Sequence, residues 1–289
     1  MRRSVLTSAV LLGLVLSLAR SPGAQAPATP PFFFLQLSDP QFGMFTADKD
    51  FAQETANFEL AIATANRLKP AFVVVTGDLV NKPGDAAQVA EFHRIARRLD
   101  RAIPLYHVAG NHDVENVPTP ASVAAYVRDF GRDAYAFTFA SLRGMVLNSS
   151  LIHSPAGAPE LAAAQERWLD AELLRARQSG ARHLVVFQHH PWFLKDAAEP
   201  DEYFNIPLAR RGPFLDRFRA AGVKYLMSGH YHRNAVAQSG DIQMITTGPV
   251  GMPLGSGTQS GIRVAIVTDA GIRHQFYALG ELPNRVDLK

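Results

Sequence analysis

The 289-residue chain has no cysteine, so no disulfide can brace it and no thiolate can ligate a metal. Any ion that it holds must rest on nitrogen and oxygen donors. It also lacks a surplus of charge once its first 26 residues are set aside. Against 26 Asp and Glu stand 29 Lys and Arg, but Arg2, Arg3 and Arg20 fall in a stretch with no acidic residue. The remainder is balanced, which removes the electrostatic case for nucleic acid or an anionic membrane surface, whatever the sequence pI of 9.3 suggests. The N-terminal apolar run, Ala9 to Ala19, falls short of the roughly 20 residues a spanning helix needs, so no stable membrane anchor is expected. There is no internal repeat and no linker long enough to divide two domains. With 47% apolar residues the chain can bury a full core, which excludes disorder.

What is present begins with a targeting pattern. Arg2-Arg3, the apolar run and the small residues Ala24-Gln25-Ala26 predict a signal peptide over 1–26, followed by a Pro-rich leader over 27–31. Export to the periplasm or the extracellular space follows, by the general route or by the twin-arginine route that Arg2-Arg3-Ser4-Val5-Leu6 resembles. Residues 32–289 read as a single domain. Apolar runs at Phe32–Leu37, Ala71–Thr76 and Pro104–Ala109 predict buried strands, and Ala52–Leu68 and Ala86–Leu99 carry helical spacing between them. Such alternation predicts a mostly parallel sheet with helices packed on it. Further on, Ser122–Phe130, Glu160–Gln178 and Pro207–Ala221 read as helices. Strands are expected at Tyr135–Phe139, Gly144–Asn148, His183–Gln188 and Lys224–Ser228. The short Gly-punctuated runs after His232 predict a second, antiparallel sheet stacked on the first.

The polar residues collect at strand ends. They are Asp39 and Gln41; Asp78; Asn111, His112 and Asp113; His189; and His230 with His232. Ligands in open α/β sheets bind outside the carboxyl ends of the strands, and carboxylate, amide and imidazole together suit Mn, Fe or Zn. The spacings Asp39-x-Gln41 and His230-x-His232 would place alternate side chains on one side of an extended chain. Gly77, Gly110 and Gly229 would let the backbone turn sharply beside them.

In order along the chain these pieces read SDPQ, TGDLVN, AGNHDV, QHHP and SGHYHR. Together they resemble the calcineurin-like metallophosphoesterase superfamily, whose pattern is D-x-H, G-D, G-N-H-D, H and G-H-x-H. No single piece is specific, but five in order are. SDPQFG, Tyr203-Phe204-Asn205 and SGHYHRN are further similar to the calcineurin-like phosphoesterase domain-containing phosphatases of complete S-transactivated type, over Phe34 to about Leu282. The resemblance implies a four-layer α/β/β/α fold, two stacked mixed β-sheets flanked by helices, and a centre of two metal ions, Mn, Fe or Zn. Asp78 would bridge them; Asp39, Gln41 and His232 would complete one ion, and Asn111, His189 and His230 the other. His189 is taken over His190 because the family's ligand stands two residues before the proline. The ions would activate a shared hydroxide for in-line attack on phosphorus. His112 would be the general acid, held in orientation by Asp113. Gln41 departs from the superfamily's usual histidine; its harder, neutral amide oxygen is expected to bind its ion more loosely and to favour Mn or Fe(II) over Zn.

The expected activity is hydrolysis of phosphate monoesters, of phosphoserine or phosphothreonine in proteins or of small molecules. A phosphodiesterase acting on cyclic nucleotides or glycerophosphodiesters is the alternative, and a binding module that has lost catalysis is a third reading. Arg233 is a candidate for substrate phosphate or for a surface salt bridge. Arg210 and Arg211 read as a phosphate contact or a solvated helix start, and Trp192, Phe193, Tyr203 and Phe204 as a substrate rim or local packing. The other six histidines read as ordinary polar residues.

Overall fold

The computed structural model describes residues 29–288. The expected signal peptide and the first two residues of the leader lie outside them. In chain order the elements are β1 (Phe32–Leu37), α1 (Ala52–Leu68), β2 (Val73–Val75), α2 (Ala86–Ala96), β3 (Leu105–His107), α3 (Asn111–Val114), α4 (Pro120–Phe130), β4 (Tyr135–Phe139) and β5 (Leu142–Val146). There follow α5 (Ser149–His153), α6 (Pro159–Gln178), β6 (His183–Phe187), α7 (Leu208–Ala221), β7 (Tyr225–Ser228), β8 (Ala235–Ser239), β9 (Ile242–Thr246), β10 (Gly261–Thr268) and β11 (Gly271–Ala278).

Period-two alternation sorts the apolar side chains into layers. Along β1, Phe33, Leu35 and Leu37 face a cluster shared with Phe58 and Ile62 of α1, Phe92 of α2 and Tyr126 of α4, while Phe34 faces the opposite way. Along β6, Leu184 and Val186 meet Leu169 of α6 and Phe218 of α7, while Val185 and Phe187 join Phe34 between the sheets. Three apolar clusters therefore fill three interfaces, helix on sheet, sheet on sheet and sheet on helix. Burying each Val or Phe contributes roughly 1.5–3 kcal/mol. Helix ends follow local chemistry: the Asp85 side chain accepts from the N–H groups of Ala87 and Gln88 to start α2. Helix α1 ends where Lys69 turns left-handed at φ 57°, just before Pro70.

The two mixed sheets are as expected, but the last strands are dealt differently. One sheet runs β11-β10-β1-β2-β3 and the other β4-β5-β6-β7-β9-β8. The chain after His232 thus forms no separate antiparallel sheet. β9 continues the second sheet parallel to β7, and the β10–β11 hairpin returns to pair antiparallel with β1. The reason is burial: the central β1 needs a second apolar neighbour, and Ile262, Val264, Ala265 and Val267 of β10 are all buried there.

Beneath the loops that carry the motifs, polar residues tie the sheets together. Gln36 Nε2 donates to the Ser228 carbonyl at 3.0 Å, Thr247 Oγ1 donates to Gln36 Oε1 at 2.7 Å, and Arg263 Nε donates to Thr247 Oγ1 at 2.7 Å.

At the end of β3, burial and the nearby His93 push His107 down to about 4. Its Nδ1 lies 3.2 Å from the Tyr126 hydroxyl. Burial likewise lowers His183 and lowers His274 to about 4. Between the ordinary histidine value near 6.5 and about 4, the unfolded chain takes protons that the folded chain refuses. Stability is therefore full above pH 6.5 and falls as pH drops through that window. His107 alone is worth about 1–3 kcal/mol, allowing for partial solvent access. The urea midpoint should fall between pH 7 and pH 5, and one that stays put would contradict this account.

Candidate metal centre

Five loops leave the carboxyl ends of β1, β2, β3, β6 and β7, and backbone hydrogen bonds stitch them together. Asp39 N–H donates to Gly77 O at 3.1 Å, Gln41 N–H to Asp78 O at 2.9 Å, and Gly229 N–H to His189 O at 3.1 Å. All seven expected ligands are brought to this one end and buried: Asp39, Gln41, Asp78, Asn111, His189, His230 and His232.

The carboxylates and imidazoles form two triads, Asp78 with His189 and His230, and Asp39 with Asp78 and His232, each with ligand atoms within 4.8 Å of one another. Asp78 belongs to both. His189 Nε2 lies 3.1 Å from Asp78 Oδ2 and 3.0 Å from Asn111 Oδ1, which adds the amide to the first triad. His232 Nε2 lies 3.4 Å from Asp39 Oδ1 in the second. The Gln41 amide oxygen is buried with no hydrogen-bond partner. A buried carbonyl left so is costly unless something else takes its lone pairs, and a cation does so.

Each imidazole is aimed by a main-chain carbonyl. His189 Nδ1 donates to Thr76 O at 2.8 Å, His232 Nδ1 to Met252 O at 2.5 Å, His230 Nε2 to Tyr203 O at 3.2 Å, and His112 Nδ1 to Asn81 O at 2.7 Å. A carbonyl only accepts, so each bonded nitrogen carries a hydrogen, and in the neutral ring that a metal would bind the other nitrogen holds the lone pair. Burial alone would lower His189, but the carboxylates of Asp78 and Asp39 raise it to about 9. For Asp78, burial is outweighed by the imidazoles of His189, His112 and His230, which hold its carboxyl below the usual range. Burial and the neighbouring His189 push His230 down to about 3.

Three expectations are corrected here. Asp113 does not touch the His112 ring. Its Oδ1 accepts from Leu79 N–H at 2.9 Å and Val80 N–H at 3.2 Å, and its Oδ2 from Gly110 N–H at 2.8 Å, so it clamps loops while Asn81 O orients His112. The pairs 39/41 and 230/232 are not extended: Asp39, Gln41, Asp78, His230 and His232 have φ of 48°, 41°, 49°, 68° and 53°. Such left-handed residues cost on the order of 1–3 kcal/mol each, a strain that clusters at functional sites. His230 and His232 accordingly fall in different triads rather than at one spot. Of the three glycines, only Gly77 has positive φ, at 91°. Gly110 and Gly229 are needed for close approach, since a Cβ would stand 2.1 Å from Asp78 Oδ1 and 1.7 Å from Ser38 Oγ respectively.

The remaining candidates separate cleanly. Arg211 is fully buried and donates to the carbonyls of Ile206, Ala197 and Glu199, so it neither meets phosphate nor starts a solvated helix. Arg210 pairs with Glu166 at 2.6 Å. Trp192 and Phe193 are core. Tyr203 does reach the site, its hydroxyl 3.4 Å from Asn111 Nδ2 and its ring 5.1 Å from that of His230, against which Phe204 also packs at 5.5 Å. Arg233 is exposed; its Nε donates to Leu254 O at 2.8 Å and its guanidinium lies 5.4 Å from the centre of the Tyr231 ring. His190 braces the site from behind, its Nδ1 2.9 Å from Ser149 Oγ and its ring 4.4 Å from that of His230. A cleft of 290 Å³ lined by Pro83, Asn111, His112, Glu115 and Asn116 gives access from solvent. Asn81 was the functional residue missed; it stands three positions after Asp78 in TGDLVN.

The model of the family described as calcineurin-like phosphoesterase matches residues 34–234. The chain belongs to that family. Among relatives of this phosphoesterase, the bovine serine/threonine-protein phosphatase CPPED1 is 40% identical over 270 residues, 88% of this chain and 86% of the relative. The human CPPED1 is likewise 40% identical, over 88% of this chain and 86% of the relative. Among solved structures, a dimetal phosphatase from Danio rerio is similar at a TM-score of 0.57 and 16% identity, over 86% of this chain and 99% of that one. A purple acid phosphatase from yellow lupin seeds has a TM-score of 0.66 and 12% identity, over 88% and 52%. These last two share the fold. Family and donor triads together make this phosphoesterase a divalent-metal-dependent hydrolase of phosphoesters. Among the described residues no helix is long and apolar enough to cross a membrane.

Proposed function

We propose that the chain hydrolyses phosphate monoesters at a centre of two metal ions, and the observation that carries this is the membership of Asp78 in both donor triads. Asp39, Gln41 and His232 would hold one ion with Asp78, and Asn111, His189 and His230 the other. Two such ions supply a water made nucleophilic near neutral pH and neutralise charge on the phosphoryl oxygens. The chain's own residues do the rest. His112 lines the cleft with Nδ1 fixed on Asn81 O, so its Nε2 is the atom to deliver a proton to the leaving oxygen. Asp113 holds the Gly110 turn beneath it.

Charge favours the monoester. Two carboxylates among otherwise neutral donors would leave two divalent ions under-neutralised, and a dianionic monoester answers that excess better than a monoanionic diester. The bare amide oxygen of Gln41 supports Mn or Fe(II) over Zn for its ion. The CPPED1 relatives support a phosphoserine or phosphothreonine substrate class, and the solvent-open cleft lined by Pro83, Asn111, His112, Glu115 and Asn116 suits a phosphate presented on a larger surface. Export rests on the pattern in 1–26, and N-terminal sequencing of exported protein should find Pro27 first.

Elemental analysis with monoester and diester hydrolysis on one sample tests the reading. Two metal equivalents with faster monoester turnover are expected; diester preference would replace the monoester reading, and absence of turnover with bound metal would leave a binding module. Arg233→Ala should raise KM about tenfold with kcat little changed, as loss of a charged contact made alike in ground and transition state would do. Unchanged KM would remove Arg233 from the substrate site.

A further inference from the structure

We propose that Asp48 fixes the chemical polarity of Gln41, acting through Asn81 so that the amide presents its oxygen rather than its nitrogen to the metal site. This rests on the reading of Gln41 as a metal ligand. An amide end is nearly symmetric in shape, and turning it by half a revolution puts an NH₂ group, which cannot ligate a cation, where the oxygen stood. Some neighbour must therefore decide between the two.

The decision runs outward through three side chains. Gln41 Nε2 donates to Asn81 Oδ1 at 3.1 Å. Asn81 is itself an amide with the same ambiguity, so it cannot settle the matter alone. Its Nδ2 donates to Asp48 Oδ1 at 2.9 Å, and an ionised carboxylate can only accept. Asp48 thus turns the Asn81 nitrogen outward and its oxygen inward, which turns the Gln41 nitrogen outward and its oxygen inward. That oxygen is the buried atom with no hydrogen-bond partner.

Asp48 is itself held for this. It sits in a left-handed conformation at φ 64°, and its N–H donates to Gly43 O at 2.9 Å. Gln88 Nε2 donates to the same Oδ1 at 2.8 Å. Gln88 has no ambiguity of its own, because its Oε1 accepts from Asn81 N–H at 3.0 Å and Lys82 N–H at 2.9 Å. A Cβ at Gly43 would stand 2.5 Å from Asp48 Oδ1 and 2.7 Å from Gln88 Nε2, so the glycine makes room for the junction. Asp48 touches no metal ligand and is a positioning residue. Asp48 is itself exposed to solvent, whereas Gln41 is buried.

The test is a set of variants titrated with Mn(II) and followed by metal content. Asp48→Ala should weaken one of the two equivalents by about 10- to 100-fold, the usual cost of losing a residue that orients a ligand. Asp48→Asn, whose own oxygen can keep both donors, should restore it. In a Gln41→His background, where an imidazole ligates without an amide to orient, Asp48→Ala should change nothing further. Independently of metal, the side-chain NH₂ signals of Gln41 in chelator-treated protein should shift toward free-amide values in Asp48→Ala and stay in place in Asp48→Asn. Wild-type affinity in Asp48→Ala, equal loss in both backgrounds, or unmoved Gln41 signals would each overturn the relay. A wild-type protein that takes up fewer than two ions would instead overturn the two-ion reading, with the amide signals still reporting on Asp48.

Discussion

His112→Ala should lower kcat by about 10²- to 10⁴-fold while the protein keeps its full metal complement. The separation of the two effects follows from how the residue is built in. Its backbone N–H donates to Asp78 Oδ1 at 2.9 Å, a contact that alanine retains. Only the ring is lost, and the ring belongs to neither donor triad. The loss should grow with the basicity of the leaving group: large for an alkyl phosphate, whose departing oxygen needs a proton, and small for a nitrophenyl phosphate, whose does not. Metal content by elemental analysis and kcat across such a series decide the matter. An equal loss for every leaving group would remove His112 from proton transfer. Asp113→Asn should behave differently. An NH₂ group would face one or more of the backbone N–H donors of Leu79, Val80 and Gly110. The expected result is a stability loss of about 1–3 kcal/mol, with a smaller effect on the leaving-group dependence than His112→Ala gives.

The contrast between these neighbours marks what a sequence of this kind discloses. Asp, Asn and His placed where apolar runs stop have no packing use, so their convergence at strand ends could be read from order and spacing. The fold class could be read the same way, from strands and helices that alternate. What could not be read was which backbone group meets which side chain. Asp39, Gln41, Asp78, His230 and His232 all adopt left-handed backbone; Asp and His are enriched there, but most Asp and His residues are not left-handed, so residue type without a glycine does not announce the turns. Without those turns the alternate-residue argument put His230 and His232 on one spot, and the structure puts them on two. Asp113 was paired with His112 because they are adjacent in sequence, whereas in the α3 turn consecutive side chains point apart. The β10–β11 hairpin was misplaced for a related reason. An alternating apolar strand fits any edge with an apolar face, and only the three-dimensional demand of β1 for a second neighbour selects one.

Gly110→Ala should remove the metal centre altogether, because the added methyl has nowhere to go. It would stand 2.1 Å from Asp78 Oδ1 and 2.2 Å from the Asp78 backbone nitrogen. The first atom belongs to the carboxylate shared by both triads, and the second is main chain that cannot rotate aside. The backbone at Gly110 is itself unremarkable, with φ −102°, so the cost is one of space rather than conformation. Relief requires the Gly110–Val114 turn to move away from the Asp78 loop, which breaks the His112 N–H contact to Asp78 and pulls Asn111 from His189. Overpacking of this kind costs about 1–3 kcal/mol or more in stability, and displacement of the carboxylate shared by both triads should drop bound metal below one equivalent with no measurable turnover. Gly212→Ala is the control. It lies within α7 with nothing near its Cβ position, so it should leave metal and activity alone and stabilise by about 0.5–1 kcal/mol through helix propensity. If Gly110→Ala retained two equivalents, the Asp78 loop would have to yield by more than an ångström without losing its ions. That would deny the rigid preorganisation on which the shared-carboxylate reading depends.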